Sequence, residues 1–167
     1  GLSAVALQEL RLAVASARRD GGQPEFRMVS ELASAESVSG NILTAIRMRE
    51  QEIPSTAANM ERLSNFSVLA HWYASLGDRD GAGRSLHNAE QVLAKMNLAR
   101  GRGEGRFLVA NAQIDRAKGG VAFAAGRYGD SEVHYLAAGK GFEASLAYLE
   151  AVGPNDNLQN RRGRISA

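Results

Sequence analysis

The stretch Gly119-Gly-Val-Ala-Phe-Ala-Ala-Gly126-Arg-Tyr128-Gly-Asp-Ser131-Glu-Val-His-Tyr135-Leu-Ala-Ala138 decides the fold. Gly119, Gly126, Tyr128, Ser131, Tyr135 and Ala138 form a ladder with steps of seven, two, three, four and three. Ala70, Gly77, Arg79, Ala82, Leu86 and Ala89 repeat those steps position for position, and Ala33, Gly40, Ile42, Ala45, Arg49 and Glu52 repeat them again with weaker chemistry. Self-similarity at fixed spacing is the mark of one structural unit used several times. The steps suit a helical hairpin. A small residue in each helix lets two backbones approach, glycine closes the turn between them, and the large residue after the turn covers it.

Helical signals continue outward from this ladder. Twenty-eight alanines, with many Leu, Glu, Gln and Arg, favour helix throughout, and no stretch reads as a strand. A first helix over about 2–19 places Leu7, Leu10, Val14 and Ala17 on one face. A second runs from about 24 to 38 behind Pro24, and a third follows Gly40 to Gln51. Ser55 or Thr56 caps a fourth, which reaches Leu76 and aligns Leu69, Trp72, Tyr73 and Leu76. The fifth, about 80–97, aligns Ala82, Leu86, Ala89, Leu93 and Met96; Gly101, Gly103 and Gly105 then make a flexible Arg-rich loop. The sixth, about 106–125, aligns Ala110, Ile114, Ala117, Val121 and Ala124. The seventh, about 129–152, aligns Tyr135, Ala138, Phe142, Leu146 and Leu149 before Gly153-Pro154 stops it.

With these residues in place, the chain resembles the tetratricopeptide repeat family, whose signature is this ladder of small and large residues. The unit built on Gly126-Arg127-Tyr128 is the most similar. Arg79 stands where a large apolar residue belongs, Ser131 where Ala does, and the first unit ends in Arg49 and Glu52. The proline usual near the end of the motif is absent from all three units, and the turn glycines lie 37 and 49 residues apart against about 34 in the family. The resemblance spans roughly residues 24–150. It implies an all-α fold of antiparallel helical hairpins stacked as a short right-handed solenoid, about seven helices in all. Residues 1–153 would form the repeat domain, and 154–167 a polar tail or the start of a further helix.

Composition narrows the function classes. A chain of 167 residues fits one globular domain, long enough to bury roughly 70% of its unfolded surface without a metal or a disulfide. The absence of cysteine excludes disulfides, iron–sulfur clusters, thiolate zinc sites and a cysteine nucleophile. No apolar run is long enough to span a membrane, and Glu9 and Arg11 interrupt the first helix too early for a secretory core. Gly1 in place of an initiating Met points to processing or trimming, which leaves a removed leader open. The Ala- and Arg-rich composition suggests a bacterial source, with cytoplasm slightly favoured over periplasm.

Catalytic chemistry needs convergent groups, and the candidates do not converge. His71, His87 and His134 show no metal-ligand spacing. Gly83-Arg84-Ser85-Leu86-His87 lacks the closing glycine of a nucleophile elbow and lies within a helix. Gly101-Arg102-Gly103-Glu104-Gly105 lacks the Lys-Ser/Thr of a phosphate loop. Asp78 and Asp80 would need a glutamate where Ala89 stands to form a calcium loop, so they are expected to cap the fifth helix. The expected function is therefore non-enzymatic, without cofactor or metal.

What remains is surface recognition. In the family, the first helix of each unit lines a concave groove that receives a peptide or a partner helix. The matching positions here give Arg27, Ser30, Ser34, Ser67, His71, Gln113 and Arg116, with Arg27, His71 and Arg116 as the strongest handles. Two arginines suit a carboxylate or an acidic peptide, although the Asn and Lys pattern of the family's carboxylate clamps is not reproduced. The expected role is an adaptor, scaffold or regulatory domain that binds a protein or peptide segment. Homo-oligomerisation is a second way to cover the ends of a short array. The alternative is a nucleic-acid-binding array using Arg100, Arg102 and Arg106 with Arg161, Arg162 and Arg164, which the net charge of +2 disfavours. Trp72, Tyr73, Tyr128 and Tyr135 are expected in the core. Gly139 and Gly141, costly within a helix, imply close packing against a neighbouring helix or subunit.

Overall fold

Four glycines set the layout. Gly21, Gly40, Gly77 and Gly126 adopt φ values of 75, 88, 75 and 76°, a left-handed conformation that side chains other than glycine resist. At each, two backbone bonds close the preceding helix: Gly77 N–H donates to the Ala74 carbonyl and Asp78 N–H to the Tyr73 carbonyl, at 2.9 Å each. Equivalent pairs form at Gly21/Gly22, Gly40/Asn41 and Gly126/Arg127, so one helix-ending motif recurs four times.

The computed structural model describes residues 4–22, 24–51, 59–96 and 104–162. Within them lie seven helices and no strand: α1 (Ala4–Arg19), α2 (Phe26–Val38), α3 (Ile42–Gln51), α4 (Asn59–Ser75), α5 (Arg79–Lys95), α6 (Glu104–Ala124) and α7 (Tyr128–Arg162). Asp78 caps α5, its carboxylate accepting from the Gly81 N–H at 2.8 Å, so its role is the expected cap. The Ser55 or Thr56 cap and the loop glycines Gly101 and Gly103 lie outside the described residues. At the far end α7 passes through Gly153-Pro154, where the sequence suggests a stop, and continues to Arg162. A proline removes one N–H from the helical ladder and crowds the preceding turn, yet a helix can continue beyond it with a kink.

Each helix packs against the one that follows its turn glycine. In the α6–α7 pair, Ser131 Oγ donates to the Gly119 carbonyl near the turn, and Ser145 Oγ donates to the Gly105 carbonyl at the far end. The ladder residues form the seams: Ala33, Ala45, Ala70, Ala82 and Ala89 have no exposed surface, and Ser131 and Ala138 are buried beside them. Beyond the helices that share a turn glycine, α3 packs on α4, and α6 packs on both α4 and α5.

Three apolar clusters occupy the interior. Leu7, Val14, Leu32 and Ala35 join α1 to α2. Ala33, Ala45, Ile46, Val68, Leu69 and Trp72 join α2, α3 and α4. Leu63, Ala89, Val92, Ala110 and Ile114 join α4, α5 and α6. Each fully buried Leu, Val or Ile side chain contributes roughly 1.5–3 kcal/mol of transfer free energy.

Two packing expectations need correction. Tyr128 does not cover its turn; it is 67% exposed and meets Phe123 edge-on at the surface, whereas Trp72 is buried and Tyr73 and Tyr135 are half-buried. On α7 the buried row is Ser131, Ala138 and Ser145, while Leu146 and Leu149 are exposed. Steps of seven keep that row against α6, and hydroxyls that bond to α6 carbonyls can sit so close where a leucine could not.

The two α7 glycines separate on the same geometry. A Cβ on Gly141 would lie 2.9 Å from the Ala112 Cβ, whereas one on Gly139 would meet nothing within 4 Å. Gly139→Ala is expected to stabilise the fold by about 0.5–1 kcal/mol through helix propensity. Gly141→Ala is expected to lose about 1–3 kcal/mol through overpacking. Urea denaturation of the two variants measures both.

Candidate functional site

The expected groove residues separate into three settings. Arg27 is exposed and engaged with its helix neighbour Glu31, Nε to Oε1 at 2.9 Å, as a pair four residues apart on a helix predicts. Ser67 and Gln113 are interior. Ser67 Oγ donates to the Gln113 carbonyl at 2.6 Å, because α4 lies directly on α6 where Gly120 leaves room: a Cβ there would lie 3.2 Å from the Ala70 carbonyl oxygen. Ser30 and Ser34 border an open depression of about 380 Å3 with Leu10 and Glu31, between α1 and α2.

His71 and Arg116 fall together with a residue that sequence reasoning did not select, Arg49. From α3 its side chain enters the space between α2 and α4 and is only 6% exposed. Nη1 donates to Asn65 Oδ1 at 2.7 Å, and Nη2 donates to Ser34 Oγ at 3.2 Å and the Ser30 carbonyl at 3.3 Å. Asn65 returns a bond from Nδ2 to the Arg49 carbonyl, and the guanidinium carbon stands 5.1 Å from the Trp72 ring centroid. Nε has no partner. The signal available in the sequence was the ladder itself, where Arg49 stands in place of a large side chain.

Arg116 projects from α6 between two points of contact with α4, Gln113 on Ser67 and Gly120 on the His71 backbone. It is half-buried and makes no hydrogen bond or ion pair among the described residues. Beside it, His71 Nδ1 and the Tyr135 hydroxyl share a hydrogen bond of 2.9 Å, the rings meeting edge-on.

The electrostatics follow from burial without a counter-charge. Desolvation, then repulsion from Arg116, holds the Arg49 guanidinium down to about 10. The same two causes, in the same order, lower His71, and burial lowers Arg116 itself. Nearby carboxylates are committed elsewhere: Glu31 to Arg27, Glu36 to Arg11 and Asn41, Glu50 to the Tyr73 hydroxyl, and Asp115 to His134 at 3.5 Å. Among the described residues, then, two guanidiniums and a histidine gather without an acid.

No group of His, Asp and Glu among the described residues could hold a metal, and no described helix is long and apolar enough to cross a membrane. Of the arginines in the nucleic-acid alternative, Arg106 is exposed on the first turn of α6, and Arg161 and Arg162 fall in the last turn of α7. Arg100, Arg102 and Arg164 lie outside the described residues. Comparison with protein-family models, with curated proteins and with solved structures finds no match for this chain.

The histidine gives a pH signature. Because its folded pKa lies below the usual 6.5, the unfolded chain takes up this proton first as pH falls. The contribution is present above that value and declines as pH falls through and below it. In His71→Gln the urea midpoint is expected to change less between about pH 7 and pH 5 than in the native chain.

Proposed function

We propose that the chain is a non-enzymatic interaction module, a short right-handed solenoid of hairpins of the tetratricopeptide kind, that binds an acidic peptide or protein segment as an adaptor or regulatory domain. The observation that carries this reading is Arg116, half-buried beside buried Arg49 and His71, with no carboxylate on any of the three. A guanidinium held out of bulk water gains most from a charge-assisted, bidentate bond, which a glutamate or aspartate side chain or a chain terminus supplies. The depression beside Ser30 and Ser34 would seat a neighbouring part of the same segment, since Arg49 reaches those two residues from beneath.

Of the expected handles Arg27, His71 and Arg116, the most weight in this reading falls on Arg116 and His71, with Arg49 behind them, because the exposed Arg27 keeps its hydration and gains less from a new partner. Selection of a random peptide library on the immobilised chain tests this. Enriched peptides should carry acidic residues and lose at least about tenfold in affinity on Arg116→Gln, the loss of one hydrogen bond between charged groups being worth about 1.5–3 kcal/mol. Peptides without acidic bias, or affinities that Arg116→Gln leaves unchanged, refute it.

A further inference from the structure

α7 has two sides of different character. Its inner row, Ser131, Ala138 and Ser145, lies on α6, and no other described helix approaches its backbone. Away from α6, Val133, Leu136 and Leu146 are 65, 59 and 61% exposed. Large apolar side chains gathered in the open on one helix mark a contact surface. The outer residues also follow a coiled-coil rhythm. Val133, Leu136, Lys140, Glu143, Ala147 and Glu150 are all exposed and succeed one another by three, four, three, four and three residues, the spacing of a seam between two helices. Lys140 and Glu143 stand in the middle of that seam, and neither makes a hydrogen bond or ion pair among the described residues.

The placing of those two charges decides what the face fits. In a parallel pair of identical helices each seam residue meets its own copy, so lysine would face lysine and glutamate would face glutamate. In an antiparallel pair turned about a two-fold axis between Gly141 and Phe142, Lys140 of each copy meets Glu143 of the other. The same register sets Leu136 on Ala147, a large residue on a small one, at both ends of the charged pairs. Beside the seam Leu146 comes to Gly139, where a Cβ would meet nothing within 4 Å, so the chain itself leaves that space open. Sliding by one heptad in either direction breaks the Lys140–Glu143 pairs and sets at least one of those charges on an apolar residue.

We propose that the outer face of α7 is a homodimer interface, on which two copies of this chain meet antiparallel with a pair of Lys140–Glu143 bridges at the centre. The seam is short and polar in its middle, which suits a reversible dimer rather than a permanent one. It shares no residue with the Arg116 and His71 site, so it stands or falls separately from the peptide-binding reading.

Analytical ultracentrifugation of the whole chain over about a hundredfold range of concentration tests it. The native chain should pass from monomer to dimer as concentration rises. Lys140→Glu and Glu143→Lys, each folded by circular dichroism, should each raise the dissociation constant at least about tenfold, because both set like charges face to face. An equal mixture of the two variants should dimerise again, since opposite charges then meet across the seam. The double variant Lys140→Glu/Glu143→Lys, which exchanges the charges within one chain, should dimerise like the native chain. A native chain that stays monomeric throughout overturns the proposal, and so does a dimer that survives both single substitutions. A mixture that stays monomeric while the native chain dimerises overturns the charge pairing on which the register rests.

Discussion

The burial of Arg49 is the constraint around which the first half of the molecule is arranged. A guanidinium kept from water must find hydrogen-bond acceptors, and those here come from two neighbouring helices, α2 through Ser30 and Ser34 and α4 through Asn65, which also donates back to the Arg49 carbonyl on α3. These bonds hold α2 and α4 at a set separation, with Trp72 closing one face of the charge. In the second half the contrast is plain. α4 and α6 meet backbone to backbone through Gly120, with Ser67 bonded across the seam. One helix junction is spaced by a charge and the next is closed by a glycine, and the basic cluster lies where the two regimes meet.

Much of the fold was legible because its determinants are local. A left-handed glycine ends a helix wherever it stands, so Gly40, Gly77 and Gly126 mark the ends of α2, α4 and α6 in the sequence itself. Small residues at fixed steps from those glycines fell in the seams, as their lack of side-chain volume requires. The course of α7 was harder to read, because Gly153-Pro154 is a stop signal in isolation and only context decides whether the helix goes on. Tyr128 was misjudged for a related reason: a large side chain after a turn can lie over it or lean outward, and Phe123 draws it to the surface.

The site was legible in part. The placing of His71 on α4 and Arg116 on α6 was legible because the position of a residue on a helix follows from spacing alone. Ser67 and Gln113 sit at equally well-placed positions but are interior, since their burial depends on how closely α4 approaches α6, a tertiary distance that no period reveals. Arg27 pairs with Glu31 one turn later, an exposed contact that the spacing of four foretells. Arg49 could not have been chosen, because a buried arginine and an exposed one look alike until the acceptors around it are known. Its misfit within an otherwise apolar ladder was the single trace it left.

Among the described residues, helix backbones approach closely only between elements one or two places apart in the sequence, from α1 on α2 to α6 on α4, and the His71–Tyr135 side-chain pair reaches further, from α4 to α7. The loops that must close before such contacts form are short, so little chain entropy is lost ahead of each stabilising contact. Helical proteins wired this way assemble in roughly microseconds to milliseconds, far faster than folds whose termini must find each other. Assembly can also begin at more than one turn. A chain of this design spends little time with its apolar seams open.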